Sequence, residues 1–110
     1  MSKRLPDITH LQFLVLEALS GDEQAGRDLR RHLASYGLRK SAPAFYQMMG
    51  RLEDAVLVEG WYDQKVVAGQ HIKERRYRVT KAGARALAET RAFYLDRPAA
   101  ARLVRKASHA

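Results

Sequence analysis

The chain has 110 residues, a formal net charge of +8 and no cysteine. A chain of this length most simply forms one domain with a modest core, and neither a disulfide framework nor a thiolate metal site is possible. Its longest apolar runs have four residues, far short of the roughly 20 that a helix needs to span a bilayer. The charged start lacks the apolar stretch and cleavage site of a signal peptide. These features predict a soluble protein of the cytoplasm.

The positive charge is concentrated in the second part of the chain. Residues 1–64 contain eight Lys/Arg and nine Asp/Glu, whereas residues 65–110 contain twelve and three. Clustered cations gain affinity for a polyanion by releasing its counterions, so DNA is the favoured partner. Charge alone also fits RNA, acidic lipid or a purely solubilising role.

Two helices are predicted in the first third of the chain. Asp7 can cap a helix that runs to about Leu19 and ends at Ser20-Gly21. This helix is apolar nearly all round, which predicts cover on both sides, with a second subunit on the outer one. A second helix is expected from about Glu23 to Tyr36, with Gly37 as its stop. Its inward residues are expected to be Ala25, Leu29 and Leu33.

A third helix is predicted after Ser41, a good N-cap, with Pro43 in its first turn. One face carries apolar residues at helical spacing, namely Phe45, Met48, Met49, Leu52, Ala55 and Val56. Strands are predicted at 58–64 and 75–80, joined by a basic loop over 65–74 that is too long for a tight turn.

Thr80 is expected to cap a last helix, which Pro98 should break or kink. Its shared apolar face is predicted to comprise Ala84, Leu87, Ala88, Tyr94 and Leu95. A short amphipathic piece at 99–106 follows. The layout is mainly α with a small β-hairpin, which predicts a winged helix-turn-helix with N- and C-terminal dimerisation helices. Residues 1–80 would form the DNA-binding part, and residues 81–110 a dimerisation helix and basic tail of the same compact domain.

These segments, in this order, resemble the PadR family of bacterial transcriptional regulators in its short single-domain form. The family has a Leu-rich first helix, a Gly-Tyr-Glu-Leu turn, a Ser-x-Gly-Thr-Leu-Tyr helix start, an Arg-Leu-Glu-x-x-Gly stretch and a Tyr-x-Leu-Thr-x-x-Gly end. The counterparts here are Leu11–Leu19, Gly26–Leu29, Ser41–Tyr46, Arg51–Val58 and Tyr77–Gly83, within a resemblance that runs from about Leu11 to Leu95.

The chain departs from the family pattern at several positions. Arg27 replaces the family tyrosine, Pro43-Ala44 replaces Gly-Thr at the start of the recognition helix, and Val56 replaces a glycine. The resemblance implies a sequence-specific DNA-binding repressor that pairs through its terminal helices on an inverted-repeat operator. A family-standard operator does not follow, because the departures include the helix that would read bases.

The DNA-binding residues are predicted to lie on the third helix and on the wing. Gln47 can pair with adenine and Arg51 with guanine or a phosphate, while Tyr46 and Ser41 can donate to phosphate oxygens. The full predicted set is Ser41, Ala44, Tyr46, Gln47 and Arg51 on the helix with Lys65, His71, Lys73 and Arg75 on the wing. Since the helix is short of cations, the wing is expected to hold the DNA more strongly than the helix does.

A homodimer is predicted because the first helix needs an outside partner and the last helix extends beyond the compact domain. The expected interface residues are Leu11, Phe13 and Leu16 with Leu87, Phe93, Tyr94 and Leu95. Some PadR-like repressors bind small apolar ligands at the dimer interface. An effector site of that kind is not favoured here, because Trp61 is expected to pack on the core and there is no enlarged C-terminal part.

An enzyme is not predicted. The four histidines, His10, His32, His71 and His109, have no metal-binding spacing, and no phosphate loop or nucleophile motif is present. No cofactor and no metal are therefore expected. The alternative to a sequence-specific regulator is a basic winged-helix module that binds proteins, or one that binds DNA non-specifically as an architectural element.

Overall fold

The computed structural model describes residues 7–95, which form four helices and a three-stranded antiparallel sheet of order β1-β3-β2. The elements are α1 His10–Leu19, β1 Gln24–Ala25, α2 Gly26–Ala34, α3 Ala42–Asp54, β2 Val58–Val67, β3 Gln70–Val79 and α4 Lys81–Leu95. The piece predicted at 99–106 lies outside the described residues.

Helix α1 begins after Thr9, so the prediction of Asp7 as its cap is wrong. The backbone N–H of Gln12 donates to Thr9 Oγ1 over 3.1 Å, and the N–H of Thr9 donates to Gln12 Oε1 over 2.9 Å. This reciprocal capping box satisfies two N–H groups at the helix start. The helix gives way at Ser20, as predicted.

The segment before α2 is a strand, which corrects the predicted helix start at Glu23. Gln24 and Ala25 pair antiparallel with Tyr77 and Arg76 of β3. Gly37 has a φ of +85° and follows the last turn of α2, confirming the predicted stop. The predicted inward residues Ala25, Leu29 and Leu33 are all buried.

Helix α3 has the predicted N-cap, since Ser41 Oγ accepts a hydrogen bond from the N–H of Ala44 over 3.3 Å. Four of the six residues predicted for its inner face are buried, namely Phe45, Met48, Met49 and Leu52. The prediction is wrong for Ala55 and Val56, which follow the helix end and are exposed. Val56 adopts a φ of +61°, a left-handed conformation that is strained for a β-branched residue.

The hairpin is longer and tighter than the predicted strands and loop. Strands β2 and β3 have ten residues each and pair from Val58 opposite Val79 to Val67 opposite Gln70. Only Ala68 and Gly69 connect them, with φ values of +51° and +78°. Positive φ at both central residues is the requirement of a type I′ turn, which matches the twist of the strands. The predicted long loop over 65–74 is therefore wrong.

Helix α4 is capped by Thr80 as predicted, because Thr80 Oγ1 accepts from the N–H of Gly83 over 3.0 Å. The Thr80 hydroxyl also donates to the carbonyl of Val56 over 2.6 Å, which ties this cap to the end of α3. A Cβ on Gly83 would collide with the carbonyl oxygen of Leu57, so the start of α4 approaches that backbone closely.

The predicted inner face of α4 is correct only at Leu87. The buried residues of this helix are Gly83, Leu87 and Thr90, whereas Ala84, Ala88, Tyr94 and Leu95 are exposed. The face of α4 that packs against α1 and β3 therefore differs from the face predicted from its apolar residues.

The core lies between α1, α2, α3 and the base of the hairpin. Its buried members are Val15, Leu16, Leu19, Leu29, Leu33, Phe45, Met48, Met49, Leu52, Val58, Tyr77 and Leu87. Leu11, Phe13, Leu14 and Ala18 are partly buried against this cluster, so much of the apolar circumference of α1 is covered by its own chain. Trp61 is not a core residue, contrary to expectation, and its ring lies 5.3 Å from the Arg78 guanidinium.

The arrangement of α2 and α3 in sequence, followed by the β2–β3 hairpin, is a winged helix-turn-helix, which confirms the predicted fold. Among residues 7–95, no helix has the length and apolar character needed to cross a membrane.

Candidate nucleic-acid interface

The first half of α3 presents a polar surface on the side opposite its buried apolar face. The side chains of Ser41, Gln47 and Arg51 are exposed, and Ala44 is half-buried. Arg51 makes no ion pair within residues 7–95. The helix start adds the positive end of the helix dipole. The sequence-predicted helix residues are therefore accessible on one surface, apart from the partly covered Ala44.

Tyr46 is positioned by a close approach between α3 and α2. A Cβ on Gly26 would lie 2.8 Å from Tyr46 Cε1 and 2.9 Å from its hydroxyl oxygen. The Tyr46 ring therefore occupies space that any side chain at position 26 would need. It also contacts the Phe45 ring edge to face, with centroids 5.1 Å apart. The ring remains partly exposed and is held in place by two buried neighbours.

Two cations outside the predicted set of DNA contacts lie beside this surface. Arg39 and Lys40 precede the N-cap Ser41, are exposed, and make no side-chain ion pair within the described part of the chain. Arg30 Nε donates to the carbonyl of Lys40 over 2.9 Å, which fixes the turn between α2 and α3. The position of Arg39 and Lys40 next to a predicted N-cap was the sequence signal that could have identified them as candidate contacts, because anions bind at helix starts.

The wing face that is turned towards α3 holds Arg75 in contacts of its own. Its guanidinium donates to Glu53 Oε1 over 2.6 Å and lies 4.7 Å from the Tyr62 ring centroid and 5.5 Å from that of Tyr77. Arg75 was predicted to grip DNA, yet it is half-buried and paired with a carboxylate. Lys73, on the same face, is exposed and has no carboxylate partner within residues 7–95.

The opposite wing face is organised around Glu74, which is only 8% exposed. Its carboxylate pairs with Lys65 Nζ at 2.9 Å, Arg76 at 3.2 Å and Arg27 at 3.3 Å. The hydrogen bond from Lys65 lowers the pKa of the Glu74 carboxyl; burial opposes this shift and the bond from Arg76 reinforces it. Arg76 also reaches Glu23 over 3.3 Å. Three elements are thereby joined, and Lys65, a predicted DNA contact, is engaged within the protein.

The ion pairs leave the wing with less available charge than its sequence suggests. Arg75 is paired with Glu53, Lys65 with Glu74, and Arg78 with Glu59 at 2.6 Å. Of the four predicted wing contacts, only Lys73 and His71 are exposed without a carboxylate partner in the described chain. The wing was expected to hold the DNA more strongly than the helix, but its positive charges are largely compensated by carboxylates of the same chain.

An open cleft of about 480 Å³ separates the wing from α3. It is lined by Tyr46, Glu53, Tyr62, Lys73, Arg75 and Tyr77. Three phenol rings, two cations and one carboxylate make the cleft polar and aromatic. It continues the polar surface of α3 onto the inner face of the wing.

The predicted dimer-interface residues are divided between core and surface. Leu16 and Leu87 belong to the core of the single chain and offer almost no surface to a partner. Leu11, Phe13 and Phe93 are half-buried, whereas Tyr94 and Leu95 are exposed at the end of α4. Arg91 of α4 pairs with Glu17 of α1 at 2.9 Å, so the two helices form one continuous surface.

The fold and the polar α3 surface define a winged helix-turn-helix protein, and solved structures identify its family. A PadR family transcriptional regulator from Eggerthella lenta DSM 2243 is 30% identical, with a TM-score of 0.57, over 74% of this chain and 73% of that one. No protein-family model and no curated relative matches the chain. The chain belongs to the PadR family of transcriptional regulators. This confirms the resemblance and the expectation that the protein is not an enzyme.

Two further structures are similar in fold at lower identity. A PadR family transcription regulator from Clostridium difficile R20291 is 15% identical with a TM-score of 0.67, covering 92% of this chain and 96% of that one. Bacillus subtilis PadR, solved in complex with operator DNA, is 17% identical with a TM-score of 0.60 over 74% of this chain. The alignment covers 46% of Bacillus subtilis PadR, so the chain spans about half of that protein's length.

Proposed function

We propose that this protein binds duplex DNA through α3 and represses transcription as a homodimer on an inverted-repeat operator. The observation that carries the proposal is the exposed polar surface of α3, with Arg39 and Lys40, which have no ion-pair partner within residues 7–95, at its N-terminal end. The operator complex of Bacillus subtilis PadR, a protein of similar fold, supports DNA as the ligand.

The start of α3 provides the phosphate contacts in this proposal. Arg39, Lys40 and the Ser41 hydroxyl lie at the helix start, where the positive end of the helix dipole favours an anion, a combination that suits a phosphate oxygen. The Tyr46 hydroxyl, held in place over Gly26, is a further donor. These contacts fix the register of the helix on the duplex without reading its sequence.

In this proposal the bases are read by exposed side chains that lie one and two turns further along α3. Gln47 has the donor and acceptor pattern that pairs with adenine in the major groove, and Arg51 the fork that pairs with guanine. Glu53 does not repel the DNA as a free carboxylate, because Arg75 neutralises it at 2.6 Å. Lys73 and His71 then add contacts from the wing.

The homodimer is proposed to form through the terminal helices. Tyr94 and Leu95 are exposed large apolar residues at the end of α4. The remaining candidates, Leu11 and Phe13 of α1 and Phe93 of α4, are half-buried. In this scheme residues 1–80 bind DNA and residues 81–110 pair the subunits. Two-fold symmetry then places half-sites about one helical turn apart.

Selection from a pool of random duplexes at two salt concentrations tests the proposal. We expect an enriched inverted repeat whose half-sites persist at the higher salt concentration. Binding without any enriched sequence would instead support the non-specific architectural module, and no binding to duplex would leave a protein-interaction module.

A charge-matched pair of double variants tests the role of the α3 start. We expect R39A/K40A to weaken binding to the selected duplex and to reduce the slope of log affinity against log salt by about 2, since two phosphate contacts are lost. K81A/R85A removes two exposed cations from α4 and serves as the control. Equal losses in the two variants would show that total charge, and not the α3 start, governs affinity.

A further inference from the structure

The end of the hairpin combines exposed apolar side chains with an absence of acidic ones. Residues 64–73, here called the wing tip, contain two lysines and one histidine but no Asp or Glu. Within it Val66 is 64% exposed, Val67 53% and Ile72 42%. Exposed apolar residues that cluster in this way commonly mark a contact surface.

The apolar side chains lie on both faces of a ribbon that has no cover in the described chain. Strand β1 pairs only with Arg76 and Tyr77, so the outer hairpin is two-stranded and both of its edges are free there. Val67 and Ile72 share one face, and Val66 is on the other, opposite His71. The two-residue turn keeps the end narrow, with strands about 4.8 Å apart. Such a tip is suited to insertion between two walls.

The reach of the wing tip matches the spacing of DNA grooves. The pair of Tyr62 and Arg75 lies beside Glu53 at the end of α3, and the tip pair of Val67 and Gln70 is five residues further out. Five residues of strand span about 17 Å. Half a helical turn of B-DNA is also about 17 Å. With α3 in the major groove, the tip therefore has the reach to enter the neighbouring minor groove.

We propose that the wing tip is an apolar wedge, in which Val67 and Ile72 enter the minor groove and partly unstack one base step. Lys73 contacts a flanking phosphate, and the duplex bends towards the major groove, as it does when other proteins insert apolar side chains there. This inference rests on the proposed function. It adds a preference for a flexible pyrimidine–purine step at the insertion point, because unstacking costs least there.

The same apolar and basic composition also suits an anionic lipid surface. The observations favour DNA because the tip extends about 17 Å beyond the end of α3, a reach equal to one groove spacing. Three side chains also bury little area in a bilayer, whereas the minor groove encloses a narrow ribbon from two sides.

The test measures DNA bending separately from DNA binding. Fluorescence energy transfer between dyes at the two ends of the selected duplex reports the bend, and 2-aminopurine placed at each step reports unstacking. We expect the wild-type protein to bend the duplex by at least about 20° and to brighten 2-aminopurine at one step. V67T/I72T keeps β-branched residues on the strands but removes the apolar surface. It should lose the bend and the brightening while affinity falls less than about tenfold.

V56T is the matched control, because Val56 is 63% exposed and lies away from the hairpin tip. It should bend DNA as the wild type does. Circular dichroism and thermal unfolding confirm that each variant is folded. If V67T/I72T does not fold, the wild-type bend and 2-aminopurine signal decide the question alone.

Each of the following three results would contradict the proposal of an apolar wedge, and the measurements distinguish the three from one another. Wild-type binding with no bend refutes the wedge and leaves the proposed function intact. Absence of binding to any selected duplex refutes both. Binding to vesicles of phosphatidylglycerol and phosphatidylcholine that V67T/I72T abolishes, with DNA bending unaffected, assigns the tip to a lipid surface instead.

Discussion

Arg75 donates to Glu53 over 2.6 Å and so joins the wing to the last turn of α3. Gly60 of β2 lies beside this ion pair, and a Cβ there would be 2.7 Å from Glu53 Oε1 and 2.8 Å from Arg75 Nη2. The missing side chain at position 60 therefore leaves the space that this ion pair occupies. Since the pair connects the helix to the hairpin, it helps to fix the position of these two elements relative to each other.

Breaking this pair should destabilise the protein more than breaking an exposed pair of equal length. The side chains of Arg75 and Glu53 are 23% and 26% exposed, whereas Arg78 and Glu59, also 2.6 Å apart, are 57% and 54% exposed. We expect E53Q to lower the free energy of unfolding by about 1–2 kcal/mol and E59Q by less than about 0.5 kcal/mol. Urea unfolding of both variants measures this difference, and equal losses would contradict it.

Relieving the strained conformation of Val56 should stabilise the protein. Val56 has a φ of +61° and is 63% exposed, so a glycine there removes strain and little buried surface. We expect V56G to raise the free energy of unfolding by about 1 kcal/mol, the typical cost of a left-handed conformation for a residue with a Cβ. Thermal and urea unfolding measure the effect.

The neighbouring residue provides the control for V56G. Ala55 has a φ of −79°, which any residue adopts without strain. A55G should lower stability, because glycine there only adds flexibility to the unfolded chain. A stabilising effect of A55G equal to that of V56G would mean that the gain does not come from relieved strain.

The Glu74 cluster should make stability depend on pH in the acid range. The lowered pKa of Glu74 means that its charged form is favoured in the folded state, chiefly by Lys65. Its contribution is complete above the ordinary glutamate value of 4.5 and is lost as the pH falls through the lowered folded value. The difference in unfolding free energy between wild type and E74Q should be constant near neutral pH and shrink below about pH 4.5.

E89Q is the control for this measurement, since Glu89 is exposed on α4 and has no ion-pair partner in the described chain. Urea unfolding at a series of pH values should show little difference between E89Q and wild type throughout. A difference for E74Q that does not change with pH would show that the cluster acts through packing and not through its charge.

Local signals made the starts of α3 and α4 predictable, whereas long-range pairing did not leave a readable pattern. Ser41 and Thr80 cap helices as predicted, because a cap acts within three residues. β1 was missed because the strand partners of its two residues lie some 50 positions away. The tight turn was missed because Ala68-Gly69 lacks the asparagine or aspartate that usually marks a type I′ turn.

The features of the candidate site also fall into those that local sequence predicts and those that depend on contacts between distant segments. Exposure of Gln47 and Arg51 follows from helical periodicity, which the sequence contains. The pairing of Arg75 with Glu53 and of Lys65 with Glu74 depends on the strand register and on the α3–wing contact. A count of basic residues therefore overstated the charge that the wing presents to solvent.

The close approach at Gly26 should matter for DNA binding as well as for stability. In G26A the new Cβ would displace the Tyr46 ring, since it would lie 2.8 Å from Cε1 and 3.2 Å from Tyr77 Cε2. We expect the affinity for the selected duplex to fall about tenfold, the loss of roughly 1.4 kcal/mol that one charge-assisted phosphate hydrogen bond provides. Y46F, which removes only the hydroxyl, should cause most of the same loss in fluorescence anisotropy titrations.

G21A is the control, because a Cβ there meets nothing within 4 Å. Unchanged affinity in Y46F together with weakened binding in G26A would assign the effect to displaced helices, and Tyr46 would then not be a phosphate contact.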